Sequence, residues 1–245
     1  MLATHELHVG TAGWSVPAAM KDQFPESGTH LQRYVTRFRA VEINSSFYRP
    51  HRRATYERWA ASVPKGFRFA VKLPKAITHE RRLAGCDELL SRFAAEVSGL
   101  GEKRGPILVQ LPPSLAYDPA AAEAFFTSCT DRVGGALACE PRHASWFTAE
   151  AETLLRRHRV ARVAADPAPV AEAARPGGWD GLAYFRLHGS PKTYWSPYAE
   201  ADVADHARAA TLLAEAGADV WVIYDNTAAG AAPENALACM ARADG

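Results

Sequence analysis

A short apolar run that turns polar in its last residues recurs along the chain: VEINSSFYR, FRFAVKLP, ILVQLPPS, LACEPRHASW, ARVAADP, AYFRLHGS and VWVIYDN. Runs such as ILVQL and VWVIY scarcely alternate, which suits strands buried on both faces, as in parallel sheets covered by helices. In such sheets the polar residues ending each run emerge together at the carboxyl ends of the strands, where α/β folds hold their ligands. The pattern predicts a fold class and the place of a site, but no reaction.

Strands are predicted near residues 7–11, 40–44, 67–73, 106–111, 136–140, 160–165, 182–188 and 220–225. Helical patterns fall between them: Thr29 to Phe38, Ala54 to Ser62, Asp87 to Leu100, Pro119 to Thr130, Thr148 to His158, Asp202 to Ala216, and Pro233 to Arg242. Between Asp166 and Leu182 the text PAPVAEAARPGGWDG holds too much Pro and Gly for a regular helix, so the sixth crossover is expected to be irregular. The expectation is an α/β fold, a single TIM-like (β/α)8 barrel over residues 1–245 with no linker dividing it. RRHRVAR is expected to end one helix with cations that suit its dipole and to start the next strand.

A length of 245 residues with 48% hydrophobic residues provides for one large core. The formal net charge is +1, which gives no global field to recruit nucleic acid or acidic membranes, so any anion preference must be local. Cys86, Cys129, Cys139 and Cys239 show no CxxC or His-rich spacing and are expected to be reduced, buried thiols. His5, Glu6 and His8 interrupt the opening where a secretory leader needs an apolar stretch. No later run approaches the ~20 apolar residues of a membrane span, so a soluble, cytoplasmic protein without a membrane partner is expected. Nothing in the sequence sets an oligomeric state.

The strand ends supply Trp14 from the first strand, Glu42, Asn44 and Tyr48 from the second, Lys72 and His79 from the third, and Gln110 from the fourth. The fifth gives Glu140, Arg142, His143 and Trp146, the sixth Asp166, the seventh Arg186, His188, Gly189 and Tyr194, and the last Asp225, Asn226, Thr227 and Gly230. Glu42 and Glu140 follow apolar residues, so desolvation raises their pKa unless cations compensate, and the pair can divide acid and base roles. Ion pairing with Arg186, Arg142 or Lys72 is the plainer role and is expected for one of the two, not both. Lys72 is expected to bind an anion. A Schiff base needs a depressed pKa, whereas nearby glutamates raise it, and a counter-ion role toward Glu42 is its bland alternative. Among His79, His143 and His188, the last is the preferred proton carrier, at a strand end beside Gly189, which leaves the backbone open to a ligand.

The loop DNTAAGAAPENA enters a helix at Pro233, a favoured first position, and with Gly189, Ser190 and Lys192 it suits phosphate held by backbone N–H groups. Glu234 in that helix's first turn can instead satisfy the helix dipole itself. Trp14, Tyr48, Trp146, Tyr194 and Trp195 can stack a sugar or base, and Phe47 is assigned to core packing. Glu42, Glu140, Asp166, His188 and Asp225 have the composition of a divalent-metal site, but Lys72, Arg142 and Arg186 already compensate the carboxylates, so no metal and no cofactor is expected.

GTAGWS, VEINSSFYR, FAVKLP with ITHE, GPILVQLPPS, EPRHASW, YFRLHG and YDNTAAGAAPENA together resemble the YecE-like family, a family of unknown function, from Gly10 to Leu237. The resemblance implies a one-domain TIM-barrel-like fold and no assigned activity. It touches Gly10, Gly13, Trp14, Glu42, Asn44, Tyr48, Lys72, His79, Gln110, Pro112, Glu140, Arg142, Trp146, Arg186, His188, Gly189, Asp225 and Asn226. Most are polar or charged residues of the strand ends rather than core positions.

The expected function is a metal-independent enzyme, hydrolase or lyase/isomerase, acting on a small anionic ligand such as a phosphorylated sugar or nucleotide fragment. Lys72, Arg142, Arg186 and the Asn226–Gly230 loop hold the anion. Glu140 and His188 exchange protons, and Glu42 and Gln110 orient the reacting group. One alternative is a non-catalytic binder of nucleic acid or a metabolite, with a basic rim of Arg49, His51, Arg52, Arg53, Arg81 and Arg82. Another is a divalent-metal phosphodiesterase.

Overall fold

A computed structural model describes residues 7–243; His5 and Glu6, which speak against a secretory leader, lie outside the described residues. In chain order the elements are β1 (Leu7–Thr11), α1 (His30–Tyr34), β2 (Ala40–Ile43), α2 (Ser45–Tyr48), α3 (Arg53–Ala61), β3 (Arg68–Lys72), α4 (Asp87–Val97), β4 (Arg104–Gln110), α5 (Pro119–Arg132), β5 (Leu137–Glu140), α6 (Ala149–Arg157), β6 (Val160–Arg162), β7 (Ala164–Asp166), β8 (Gly177–Gly178), β9 (Leu182–Leu187), α7 (Glu200–Glu215), β10 (Asp219–Tyr224) and α8 (Ala232–Ala243). The strands form two sheets, ordered β1-β10-β9-β7 and β2-β3-β4-β5-β6-β8. Every pairing is parallel except that of β6 with β8. The fold is thus mixed α/β with parallel sheets, as the near-continuous apolar runs require.

The expected strand at 160–165 is broken at Val163, because its first half pairs with β5 and its second with β9. Val163 N–H still donates to the Cys139 carbonyl at 2.8 Å, so the chain passes from one sheet to the other without leaving its hydrogen bonds. At the opposite edges Ala12 bridges Glu42 in parallel, and Gly13 N–H donates to the Glu42 carbonyl at 2.8 Å. A Cβ at Gly10 would land on the Ala40 carbonyl oxygen, so only glycine lets β1 approach β2 this closely.

The expected helix Thr29 to Phe38 contracts to α1, whose capping box pairs Thr29 with Gln32, and hydrogen-bonded turns continue to Phe38. The irregular sixth crossover is observed: among the described residues no α-helix lies between Asp166 and Leu182, only a 3-10 turn at Ala171–Ala174 and the two-residue β8. Arg162 ties this segment down, donating to Glu152 at 3.0 Å and to the carbonyls of Glu172 and Arg175 at 3.0 and 3.2 Å. Arg156 and Arg157 occupy the last turn of α6, the place the helix dipole favours. All four cysteines are free and buried.

Two apolar clusters hold the sheets. The larger packs strand residues such as Phe69, Ile107, Val109 and Val222 against helix residues including Phe93, Phe126 and Leu155. The second contains Ala40, Ala70, Leu108, Ala138, Ala161, Val163, Leu182, Tyr184, Trp221 and Ile223. Gly105 gives Trp221 its room, since a Cβ there would sit 2.6 Å from the indole. Strand side chains alternate with period 2, so Ala40, Ala70, Leu108 and Ala138 share a face with Glu42, Lys72, Gln110 and Glu140 two residues on. The second cluster is therefore an apolar floor beneath the polar strand ends, each buried Leu or Ile contributing about 1.5–3 kcal/mol.

Candidate functional site

Arg186 is the centre of the polar layer. Placed on β9 between Tyr184 and His188, it is 1% exposed and carries carboxylates on three of its nitrogens. Nε and Nη2 donate to the two oxygens of Glu42 at 2.9 and 2.7 Å, Nη1 donates to Glu140 Oε2 at 2.9 Å, and Nη2 also reaches Asp225 Oδ2 at 2.9 Å. Glu42, Glu140 and Asp225 come from the ends of β2, β5 and β10, and the Tyr184 hydroxyl donates to Glu42 Oε2 at 2.9 Å. Burial alone would raise the Glu140 carboxyl, but Arg186, then Arg142 and His188, outweigh it and hold it well below the usual range. Asp225 follows the same balance and is lowered. Arg186 loses stability by desolvation, yet its three carboxylates hold it well above its ordinary value.

Two expectations are corrected here. Both Glu42 and Glu140 sit in ion pairs with Arg186, not one of them. Arg186 has no free face for a ligand anion, because its guanidinium is already neutralised inside the protein.

His188 is fully buried, and its ring lies between two carboxylates. Nδ1 is 3.0 Å from Asp225 Oδ2, and Nε2 is 3.1 Å from Glu140 Oε1 and 3.0 Å from Arg142 Nη2. A guanidinium only donates, so Nδ1–H donates to Asp225 and the Nε2 lone pair accepts from Arg142, while Glu140 Oε1, itself an acceptor, meets Nε2 through the shared Arg142 guanidinium and not by a hydrogen bond of its own. Arg142 Nε also donates to Glu140 Oε1 at 2.8 Å, and its Nη2 contacts the same oxygen. Arg142 keeps 20% of its side chain exposed, unlike Arg186. Tyr194 stands edge-on to the imidazole, ring centres 5.4 Å apart, and is itself 44% exposed.

Lys72 lies beside this network without joining it. Its Nζ sits 4.0 Å from the centre of the Phe47 ring, a contact that takes Phe47 out of a purely packing role. Desolvation, with Arg186 adding to it, pushes the amine down to about 8 against the opposing pull of Glu42, Glu140 and Asp225. The carboxylates therefore do not hold the amine at its ordinary value, although the ammonium form still predominates at neutral pH, and no direct ion pair with Glu42 forms, because Arg186 and Tyr184 occupy its oxygens. His79 stands on a π-helical turn, Ala76–Glu80, a local form frequent at functional sites. It packs on Phe47 and is lowered by desolvation, then by Lys72, Arg142 and Lys75.

Most of the other candidates have structural partners. Trp146 is 1% exposed and donates to the Leu115 carbonyl at 3.0 Å, so it is core and cannot stack a ligand at the rim. His143 Nδ1 accepts from Ser145 N–H at 3.2 Å and caps a short turn. Asp166 accepts the Tyr198 hydroxyl at 2.7 Å, and Gln110 donates to the Leu111 carbonyl. Trp14 packs edge-on to Trp59. Gly189 has φ +97°, and a Cβ there would stand 2.7 Å from the Ser196 carbonyl, so its backbone is closed by the following loop rather than open to a ligand. Tyr48 is 69% exposed, and Asn44 Oδ1 is buried without a partner.

The last loop differs from a phosphate cradle, since Ala228, Gly230 and Ala232 N–H already donate to the carbonyls of Tyr194, Thr227 and Asn226. Asn226 is buried, its amide nitrogen donating to Ser196 and Asn235. A cavity of about 380 Å³ nevertheless opens here, lined by Thr11, Ala12, Gly13, Ser15, Pro17, Thr227, Ala229, Gly230 and Pro233. It adjoins the strand ends, but none of its lining residues is charged, so the room and the ionic groups are neighbours rather than one surface. Among the described residues no cluster of three His, Cys, Asp or Glu side chains is arranged to hold a metal ion, and Arg186 stands where the three carboxylates converge. Sequence reasoning missed Tyr184, although its spacing of two from Arg186 and four from His188 puts all three on one strand face.

A parallel α/β protein with a buried ionic network at its strand ends is the class these features define. The chain belongs to the family described as protein of unknown function DUF72, whose model matches residues 8–245. It is 30% identical over 177 residues to the UPF0759 protein YecE of Escherichia coli, a match covering 69% of this chain and 62% of that protein's length. The UPF0759 protein YunF of Bacillus subtilis is 22% identical over 259 residues, covering 94% of this chain and 92% of YunF. Among solved structures, a DUF72 family protein from Enterococcus faecalis superposes with TM-score 0.82 at 22% identity, covering 98% of this chain and 96% of that one. One from Thermotoga maritima gives 0.81 at 24%, covering 98% and 100%. A methyltransferase from Methanosarcina mazei is similar in fold at TM-score 0.51 and 11% identity, covering 97% and 94%. Among the described residues no helix is long and apolar enough to cross a membrane.

Proposed function

We propose that this protein is an acid–base enzyme acting on a small anionic ligand at the carboxyl ends of its strands. The two sheets are read as one eight-stranded barrel in a single domain, joined through Val163 and through the Gly13–Glu42 contact. The apolar floor that alternates with the ionic layer supports this closure.

The observation that carries the reading is the setting of His188. Asp225 fixes the tautomer that points the Nε2 lone pair at Arg142, and Glu140 waits beside the same nitrogen. An anion that draws the Arg142 guanidinium onto itself frees Nε2 to take a proton, and the imidazolium so formed is held by Asp225 on one side and Glu140 on the other. Glu140 is therefore an ionised positioning group rather than a general acid, which revises its expected role. Glu42, Tyr184 and Arg186 hold the carboxylates in register. Arg142 and Lys72 supply the positive charge, with His79 beside them. The exposed aromatics Tyr48, Tyr194 and Trp195 all follow strand ends, which favours a ring-bearing ligand such as a nucleotide fragment over an open-chain one.

The test is a melting-temperature screen of the full chain with inorganic phosphate, sugar phosphates and nucleotides, followed by turnover assays on whatever raises it. Arg142→Ala is expected to abolish the rise. His188→Asn is expected to keep it and lower turnover by about 10²–10⁴-fold. An active His188→Asn variant sinks the acid–base assignment, and a bound ligand that is never turned over points to a non-catalytic binder.

A further inference from the structure

Among the described residues, Lys72 is a buried amine that donates to no oxygen. It is 6% exposed, and its Nζ lies over the face of Phe47, with Glu42, Glu140, Asp225 and Arg186 acting on it only through their charge. Other lysines are placed differently: Lys103 donates to the carbonyls of Ala60 and Val63 at 2.6 Å, Lys75 pairs with Glu80 at 3.4 Å, and Lys192 lies over Trp195. No carboxylate forms a direct ion pair with Lys72: Arg186, Arg142, Tyr184 and His188 take the oxygens of Glu42 and Glu140 and the Oδ2 of Asp225. An ammonium here gives up most of its water for a ring face and faces a second cation, the combination that activates an amine as nucleophile. With its pKa at about 8, roughly a quarter of the amine is free at pH 7.5, against about a thousandth for an ordinary lysine.

We propose that Lys72 is a carbonyl-reactive nucleophile and that the ligand of this site is a small anionic ketone or aldehyde, joined to Nζ as a Schiff base. The proposal rests on the reading above that the site takes a small anion. The Nζ lone pair adds to the carbonyl carbon, and the carbonyl oxygen takes a proton from the nitrogen to give a carbinolamine. The C–O bond then breaks as the oxygen takes a second proton and leaves as water, while the nitrogen pair closes C=N. Overall, ammonium plus carbonyl gives iminium plus water, both protons of the water coming from the ammonium, and no oxidant or reductant enters. The iminium keeps the positive charge that Glu42, Glu140 and Asp225 favour.

The experiment exposes the full chain at pH 7.5 to pyruvate, dihydroxyacetone phosphate or uncharged acetone with sodium cyanoborohydride, and maps the adducts by mass spectrometry. Expected is a single adduct on Lys72 from at least one charged ketone, tenfold or more above that on Lys21, Lys65, Lys75, Lys103 or Lys192, and weaker labelling by acetone. Lys72→Met, checked for folding by its melting temperature, is expected to lose the adduct. The labelling rate is expected to level off above about pH 8; a rate that climbs steadily to pH 10 marks an ordinary lysine and overturns the proposal. So does an absence of adduct with every probe, or label spread evenly over the lysines. If phosphate still raises the melting temperature of the unlabelled protein, the carbonyl chemistry falls and the anionic reading stands. If neither effect appears, both fall.

Discussion

Arg186 shows how a fully buried charge is tolerated. Its guanidinium meets two oxygens of Glu42, one of Glu140 and one of Asp225, so desolvation is offset by several charge-assisted bonds of good geometry. Removing only the cation leaves the buried Glu42 with the Tyr184 hydroxyl alone and takes a charge partner from Glu140 and from Asp225. Arg186→Met is expected to cost about 3–5 kcal/mol, read as a lowered urea midpoint at pH 7. The same residues set an acid limit. Glu140 and Asp225 are held below their ordinary values in the folded state, so the unfolded chain binds protons first as pH falls. Their contribution is complete above the unfolded values near 4 and is lost as pH drops from there through the folded ones. Urea midpoints taken from pH 7 down to pH 3 are expected to hold to about pH 5 and fall below it; a flat profile removes the linkage.

At the scale of elements, the β7–β9 crossover carries the greatest departure from regular structure, and Arg162 ties it down at two carbonyls, beside Arg156 and Glu152, which bond Gly178. Arg162 is buried on β6, spans Glu152 of α6 and two crossover carbonyls, and stacks over Phe147 at 5.1 Å. Arg162→Ala leaves those carbonyls without this donor and takes from the partly buried Glu152 carboxylate its nearest cation, leaving it the Gly178 N–H and the more distant Arg156. It is expected to cost about 2–4 kcal/mol and to speed proteolysis between Pro167 and Gly181. Cleavage confined to other loops would show that the crossover is held by something else. This arginine belongs to RRHRVAR, where sequence reading sees a helix end and a strand start; its staple role depends on carbonyls that no local pattern specifies.

At the scale of the molecule, the strand ends form one site only if the two sheets stay side by side. Gly10 is the tightest point of that contact, backbone against backbone. Gly10→Ala is expected to cost about 2 kcal/mol or more, since the two nearest atoms are the Ala40 backbone carbonyl and cannot give way like a side chain, and to weaken ligand-induced stabilisation as β1 and β2 part. Unchanged melting temperature in the variant would show that the sheets adjust freely at this edge.

Much of this was legible along the chain. Apolar runs without alternation dictated parallel strands, and polar residues at their ends dictated that Glu42, Lys72, Glu140, Arg186, His188 and Asp225 lie at one end, because a strand's direction fixes which of its residues come last. Pro and Gly content dictated the irregular crossover. Charge states and partners were not legible: Arg186 takes both glutamates, Lys72 is left with a phenyl ring, Trp146 turns into the core, and the 160–165 strand divides between two sheets. Each of these is settled by which oxygens, rings and carbonyls from distant segments come within about 3–4 Å, and electrostatics and packing act across those distances in space, not along the sequence.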